Sequence, residues 1–251
     1  MSKVSIIIPS YNRASLIAQT INSARNQTFE DIEIIVIDNA STDDTFEIAL
    51  EISKLDSRLR LYRNEENIGP VRNWIKGIGY ANSDIAKLLF SDDLLSPTYL
   101  EKCLPYLEDD RCGLVYTSAM IGKNDWVGTV YYDNYIGDSK IKASAYIHGQ
   151  TLIEHLYPVS PCASLSRLKD LKNNIHLNLT GFEMDAYAAT GAGVDWLFHP
   201  LTMLGYQYAQ YVDSCEVFFR SHGDNLTGLA VIPECYVNAK QFFKLALNLK
   251  R

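Results

Sequence analysis

At 251 residues the chain is long for one minimal domain and short for two full ones, and its 47% hydrophobic and 21% charged residues allow a sizeable core and exclude wholesale disorder. Lys and Arg number 23 against 30 Asp and Glu, a net charge of −7 at pH 7, so no overall basic field exists to hold nucleic acid and no nucleic-acid partner is expected. The five cysteines are scattered with no C-x-x-C pair, which disfavours a zinc ribbon or a redox dithiol and reads as reduced thiols of a cytoplasmic protein.

In chain order, Val4 to Ile8 is an apolar run that Pro9-Ser10-Tyr11-Asn12 stops before an export-signal core could form. It reads as a buried strand, as do Ile32 to Ile37, Leu59 to Tyr62 and Ile85 to Phe90. Between them lie stretches with helical spacing: Leu16, Ile17, Ile21 and Ala24; Phe46, Ile48, Ala49 and Ile52; Val71, Trp74, Ile75 and Ile78. This alternation predicts a parallel sheet with helices on both faces. Ser96-Pro97 reads as a helix start running to about Leu107, followed by a strand near Leu114 to Ile121. Beyond Trp126 the pattern changes: a strand at Val127 to Tyr132, helices at His148 to Tyr157 and Gly193 to Leu204, a strand at Glu216 to Arg220 and a terminal helix at Tyr236 to Leu249. No linker divides the chain, so residues 1–122 and 123–251 are expected as two halves of one domain. No apolar run is long enough to span a bilayer.

In open parallel sheets ligands bind beyond the carboxyl ends of the strands, which makes the residues after each apolar run informative. Here they are Pro9-Ser10-Tyr11-Asn12-Arg13, then Asp38-Asn39-Ala40-Ser41-Thr42-Asp43-Asp44, then Ser91-Asp92-Asp93. Such a carboxylate-rich rim would repel a phosphate unless a hard divalent cation, Mg²⁺ or Mn²⁺, lay between them. Each turn also has a plain structural reading. Asp38 and Ser41 suit a helix cap near Asp43, and Asp92-Asp93 suit a turn ahead of a helix. No P-loop, no G-x-G-x-x-G and no G-x-S-x-G is present, so neither an NTPase, a dinucleotide oxidoreductase nor a serine hydrolase is supported.

Taken in order, these segments resemble the family-two glycosyltransferases, inverting enzymes of the GT-A fold that use nucleotide-activated sugars. Val4 to Arg13 resembles that family's first strand and nucleotide-contacting turn, and Ile34 to Thr45 its second, where Asp38 would hold the base. Asn67-Ile68-Gly69 with Arg72-Asn73 is similar to the loop and helix near the ribose and diphosphate. Leu89-Phe90-Ser91-Asp92-Asp93 resembles the metal-binding D-x-D region, with Phe90 where many members carry Asp. The resemblance implies an α/β GT-A fold, a Rossmann-like, mostly parallel sheet with a C-terminal acceptor-binding half.

For the site it implies donor contacts from Pro9, Tyr11, Asn12, Arg13, Asp38, Asn67, Gly69, Arg72, Asp92 and Arg220, and metal ligands Asp93 and His222 for Mn²⁺ or Mg²⁺. The stretch Gly191 to Leu197 resembles the segment carrying the catalytic base, making Asp195 the candidate with Glu183 and Asp185 as rivals, although Asp195 also reads as a plain helix cap. The implied partners are a nucleoside-diphosphate sugar, UDP foremost, and a glycan or lipid-linked acceptor, in surface-polysaccharide synthesis. A non-catalytic sugar-nucleotide-binding relative is the alternative, kept open by Phe90. The terminal helix, with Phe242, Phe243, Leu245 and Leu247 beside Lys240 and Lys244, reads either as docked on the core or as a peripheral contact with an anionic membrane.

Overall fold

A computed structural model describes residues 3–152, 156–175, 190–222 and 232–249. Strands β1 (Val4–Ser10), β2 (Ile32–Asp38), β3 (Leu59–Arg63) and β4 (Ile85–Leu88) lie parallel in the order β3-β2-β1-β4, with Ile7 facing Ile35 and Leu88 across the two ladders. Alternation in β1 and β2 separates two cores. Ile6, Ile8, Ile34 and Val36 point into one, with Ile17, Ile21 and Ala24 of α1 (Ile17–Arg25) and Ala49 of α2 (Thr45–Ser53). Ile7 and Ile35 point into the other, with Val71, Trp74 and Ile78 of α3 (Pro70–Gly79). Pro70 opens α3 directly after Gly69, whose φ of 80° turns the chain out of the preceding loop.

The sheet continues past β4 as β9 (Ser164–Arg167), β6 (Cys112–Asn124), β10 (Tyr208–Arg220) and β5 (Leu94–Leu95), ten strands among the described residues, with β7 (Val127–Tyr131) against β6 and β8 (Ser139–Lys142) against β10. It is mixed. β9 runs antiparallel to both β4 and β6, while β6 and β10 are parallel to each other over a long, bulged ladder. The sequence pattern concealed β9 because three of its four residues are polar. They are buried nonetheless, and Arg167 donates to the carbonyls of Cys112 (2.6 Å), Leu107 (2.9 Å) and Asp109 (3.2 Å).

Several boundaries differ from those expected. The helix after Pro97 starts at Tyr99 and is α-helical only to Cys103 (α4), the rest to Glu108 being 3₁₀, because Pro105 removes the next backbone donor. Helix α5 occupies Ala143–Leu152, about one turn ahead of the expected His148 to Tyr157, and Tyr157 instead stacks on Tyr146 at 4.4 Å. Strand β10 begins at Tyr208, well before Glu216, because its bulges break the alternation that marks a strand. Helix α6 covers Leu168–Asn174, α7 Val194–Met203 and α8 Ile232–Leu249.

The terminal helix α8 is docked. Cys235, Ala239 and Phe243 form a buried stripe at intervals of four, and Phe243 meets Trp196 of α7 edge-on at 5.9 Å. Val237 and Leu245 face outward. Among the described residues, no helix is long and apolar enough to cross a membrane.

The Trp74 ring fills the space beside Gly191, whose φ is +77°, so a Cβ there would collide with the indole in a backbone conformation that L residues avoid. Gly191→Ala is expected to cost about 2 to 4 kcal/mol in urea unfolding, from overpacking together with left-handed strain. A loss below about 0.5 kcal/mol, the range of an ordinary surface change, would show that this packing is not as described.

Candidate functional site

Strands β1 and β2 end side by side, Ser10 opposite Asp38, and their turns are knitted together. Asn12 takes a positive φ of 49°, its N–H donating to Ser41 Oγ (2.9 Å) while its Oδ1 accepts from Thr42 N (2.9 Å). Arg13 N donates to Thr45 Oγ1 (2.7 Å) and Ala14 N to Asp43 Oδ2 (3.0 Å). Asp38 is wholly enclosed. It accepts from the Ser41 hydroxyl and Ser41 N (3.0 Å), with Arg63 Nε at 3.4 Å, so its carboxylate shapes the turn and does not cap α2, which begins only at Thr45, where Asp43 takes the first N–H (3.1 Å). Pro9 is buried within the strand end and Tyr11 is exposed beside it.

Asn39 knits the turn after β2 to the loop ahead of α3 through both sides of its amide. Its amide donates to Asn67 Oδ1 (2.7 Å) and accepts from Asn64 Nδ2 (2.9 Å) and Ile68 N (3.0 Å), a pairing that a carboxylate cannot make in both directions. Asn67 Oδ1 also takes the Gly69 N–H (2.9 Å), which ties the β2 turn to the start of α3. Arg72 stands exposed on the first turn of that helix.

The acidic turn after β4 is held from three sides. Leu94–Leu95 pair with Phe218 and Val217 of β10, which brings Arg220 and His222 against Asp92 and Asp93. The Arg220 guanidinium is buried. It donates to Asp92 O, to the Gln19 side chain, to Thr20 Oγ1 (3.0 Å) and to Leu16 O (3.4 Å). Arg220 was expected at a phosphate; the structure places it as an internal brace between α1 and the acidic turn.

The two aspartates divide differently from the sequence expectation. Asp93, the expected metal ligand, points inward, accepting from Cys162 Sγ (3.4 Å) and Arg220 N (3.3 Å). Burial first, then the neighbouring Asp92 charge, push its carboxyl well above the usual range. Asp92 faces the rim, with His222 Nε2 at 3.0 Å and Arg13 Nε at 3.5 Å from the same Oδ2. Phe90 packs its ring on Trp74 at 5.1 Å, an apolar role that a carboxylate could not fill.

Behind Asp93 lies a group that the sequence pattern did not mark. Lys87, inside β4 and fully buried, donates to Cys162 O, Ser164 O (3.4 Å) and Tyr99 OH (3.0 Å), and burial lowers its ammonium to about 8. His199 is equally enclosed, between Pro158 O (2.8 Å) and Ser164 Oγ (2.9 Å), and burial holds it neutral by lowering it to about 4. A lysine within an apolar run gives no sign in the sequence that its head will be bonded to the loop behind the acidic turn.

Asp195 lies at the start of α7, which packs in the same core as Trp74 and Phe90. One oxygen accepts from Gly193 N (2.8 Å) and Trp196 N (2.7 Å), the other from Tyr236 OH (2.9 Å). Asp195 is thus a first-turn carboxylate of a helix capped by Gly193, with its second oxygen turned to Tyr236 of α8. It is partly accessible, and burial raises its carboxyl to about 6 against the lowering effect of these bonds. Glu183 and Asp185 lie outside the described residues.

Among the described residues, no cluster of three or more His, Cys, Asp or Glu side chains is placed to hold a metal ion. The pair Asp92 and His222 offers one oxygen and one nitrogen donor on the rim. That small donor set fits a divalent cation completed by phosphate oxygens and water.

An open α/β sheet whose strand ends carry polar turns and an aspartate–histidine pair has the architecture of a GT-A protein, and solved structures agree. The S. aureus TarS fragment 1-349 in complex with UDP-GlcNAc superposes with a TM-score of 0.72 at 20% identity, over 94% of this chain and 64% of that one. A mannosyltransferase from Pyrobaculum calidifontis in complex with GDP-Man and Mn²⁺ gives 0.62 at 17% identity, over 98% and 64%. The profile of Glycosyl transferase family 2 matches residues 5–173, and the chain belongs to that family. An uncharacterized glycosyltransferase of Haemophilus influenzae is 39% identical over 105 residues, 42% of this chain and 32% of that protein. A GalNAc(5)-diNAcBac-PP-undecaprenol beta-1,3-glucosyltransferase of Campylobacter jejuni is 38% identical over 96 residues, 38% and 31% of the two chains. A putative teichuronic acid biosynthesis glycosyltransferase of Bacillus subtilis, TuaG, is 32% identical over 122 residues, 49% and 48%. The chain thus spans about a third to a half of the length of these curated relatives.

The raised carboxyl of Asp195 is a stability cost at neutral pH. The unfolded chain ionises near 3.8 and the folded one near 6, so the native state loses stability as pH rises across that window and the loss is constant above it. Asp195→Asn should therefore gain about 2 kcal/mol over wild type between pH 4 and pH 7. Urea unfolding at the two values tests this, and a difference that does not change with pH would contradict it.

Proposed function

We propose that this chain is an inverting glycosyltransferase that moves a sugar from a nucleoside diphosphate, UDP foremost, to a hydroxyl of a glycan or lipid-linked acceptor. The single observation that carries the reading is the Asp92–His222 pair on the rim of a family-two fold, against Arg13 of the turn after β1. The UDP-GlcNAc, UDP and GDP-Man bound by the structural neighbours support a sugar-nucleotide donor. The undecaprenol-linked and teichuronic acid functions in the relatives' names support surface-polysaccharide synthesis.

In this mechanism the turn from Pro9 to Arg13, shaped by Asp38 and Ser41, lies against the nucleoside, and the Asn67–Gly69 loop with Arg72 borders the ribose and diphosphate. Asp92 and His222 would hold Mn²⁺ or Mg²⁺, which when bound would supply the charge neutralisation that a departing diphosphate needs. Arg13, against Asp92, adds positive charge on the same side. Asp195 takes the proton from the acceptor hydroxyl as the new bond forms at the opposite face of the anomeric carbon. A carboxyl near 6 is ionised at neutral pH yet basic enough to share that proton in the transition state. Asp93, Lys87 and Arg220 keep the acidic turn in place beneath. Binding without transfer is the second reading, favoured by Phe90, which leaves the acidic motif one carboxylate shorter than in many relatives.

A thermal-unfolding panel of UDP, dTDP, GDP and CDP with and without Mn²⁺ tests the donor half. UDP is expected to stabilise the protein by about 2.7 kcal/mol at a hundredfold excess over its Kd, only with the metal, and not in Asp92→Ala. Stabilisation by none of the four would overturn the reading. In a transfer assay Asp195→Asn should lose at least about a hundredfold in rate while still binding the diphosphate. Undiminished transfer would move the base elsewhere, and absence of transfer in wild type despite binding would favour the second reading.

A peripheral membrane contact through the outward face of α8, where Val237, Lys244 and Leu245 are exposed, belongs to the same proposal. Flotation with anionic liposomes should be lost in a Val237→Glu/Leu245→Glu double variant. Equal recovery of both proteins would dismiss the contact.

A further inference from the structure

The least expected neighbour of Asp195 comes from the far end of the chain. Helix α8 docks through Cys235, Ala239 and Phe243, and that docking turns the adjacent Tyr236 toward the start of α7, where its hydroxyl donates to Asp195 Oδ2 at 2.9 Å. The other oxygen, Oδ1, is already bound by two backbone N–H groups of its own turn. The carboxylate is therefore fixed in plane by two independent elements, with Oδ2 the oxygen whose orientation the phenol sets.

We propose that Tyr236 is a positioning residue for Asp195, holding the carboxylate ionised and aimed, so that the terminal helix completes the acceptor side of the site. The inference rests on the reading of Asp195 as the base. A phenol donating to a carboxylate is a charge-assisted bond that favours the ionised form, and burial of Asp195 works in the opposite direction. Among the described residues, the titratable groups facing Asp195 are Tyr236 and Cys235 from α8 and Tyr132, which follows β7. All three are neutral acids at pH 7, burial raising each of them, so none brings a counter-charge. Of the three, Tyr236 alone makes the hydrogen bond. A tyrosine that served packing only would act through its ring and leave the carboxyl's proton affinity unchanged.

The test uses the full chain labelled with ¹³C at the aspartate carboxyl carbons, with Asp195→Asn identifying the resonance by difference. Tyr236→Phe keeps the ring and removes only the hydroxyl. The Asp195 titration midpoint is expected to rise by about one pH unit in Tyr236→Phe, the size of effect that loss of one charge-assisted bond produces. In Tyr132→Phe, which removes a neighbouring phenol that makes no such bond, it should stay in place. An unchanged midpoint in Tyr236→Phe would overturn the inference, as would an equal rise in both variants. Failure of the base reading shows separately, as undiminished transfer by Asp195→Asn.

Discussion

A buried guanidinium is tolerated only when nearly every donor finds an acceptor, because an unpaired charge taken out of water costs several kcal/mol. Arg220 meets that demand by reaching across the molecule, to α1 through Leu16, Gln19 and Thr20 and to the backbone of Asp92. Much of the site follows from this one side chain. With its head bound under the acidic turn, its own N–H meets Asp93 and the chain after it delivers His222 to Asp92. The short β5–β10 ladder holds the same two segments from the other side. The last strand, the first helix and the central acidic loop thus share one anchor, although they lie some two hundred positions apart in sequence.

The first hundred residues were legible because the physics there is local. Runs of Ile, Val and Leu buried on both faces can only be central strands, and the helices between them repeat at the helical period. Beyond residue 122 the determinants become long-range. β9 is hidden since its serines and Arg167 are buried through hydrogen bonds, not hydrophobicity, and β10 is disguised by bulges. The same division runs through the site. The turns that follow strands could be listed from sequence, yet which of Asp92 and Asp93 faces outward depends on where Cys162 and Arg220 arrive from remote segments. Tyr236 gave no signal, being one of 16 tyrosines with nothing in its neighbours to pair it with Asp195.

Trp74 connects the two halves of the site. One edge of its ring meets Phe90, next to the acidic turn, and its far end fills the space over Gly191, at the entrance to the Asp195 helix. Phe90 is therefore a packing residue between the acidic turn and the indole. Its ring gives the indole a partner, so two aromatic rings bridge the acidic turn and the start of α7.

Strand β6 has a bearing on how modular the protein is. It runs without interruption from Cys112 to Asn124, pairing with β9 through its first half and with β7 through its second, while β10 follows it along most of its length. A chimera joined at residue 122, where the sequence changes character, would cut this strand inside its ladders and strand the pieces in different parents. A crossover before Cys112 would leave the strand whole, the incoming segment bringing β6, β7, β8, β9 and β10 as one inherited unit. The contacts then remade between parents would include the β4–β9 and β5–β10 ladders, the bonds of Lys87 and Asp93 to the loop at Cys162, those of Arg167 to Leu107 and Asp109, the packing of Trp74 on Gly191 and the Arg220 anchor.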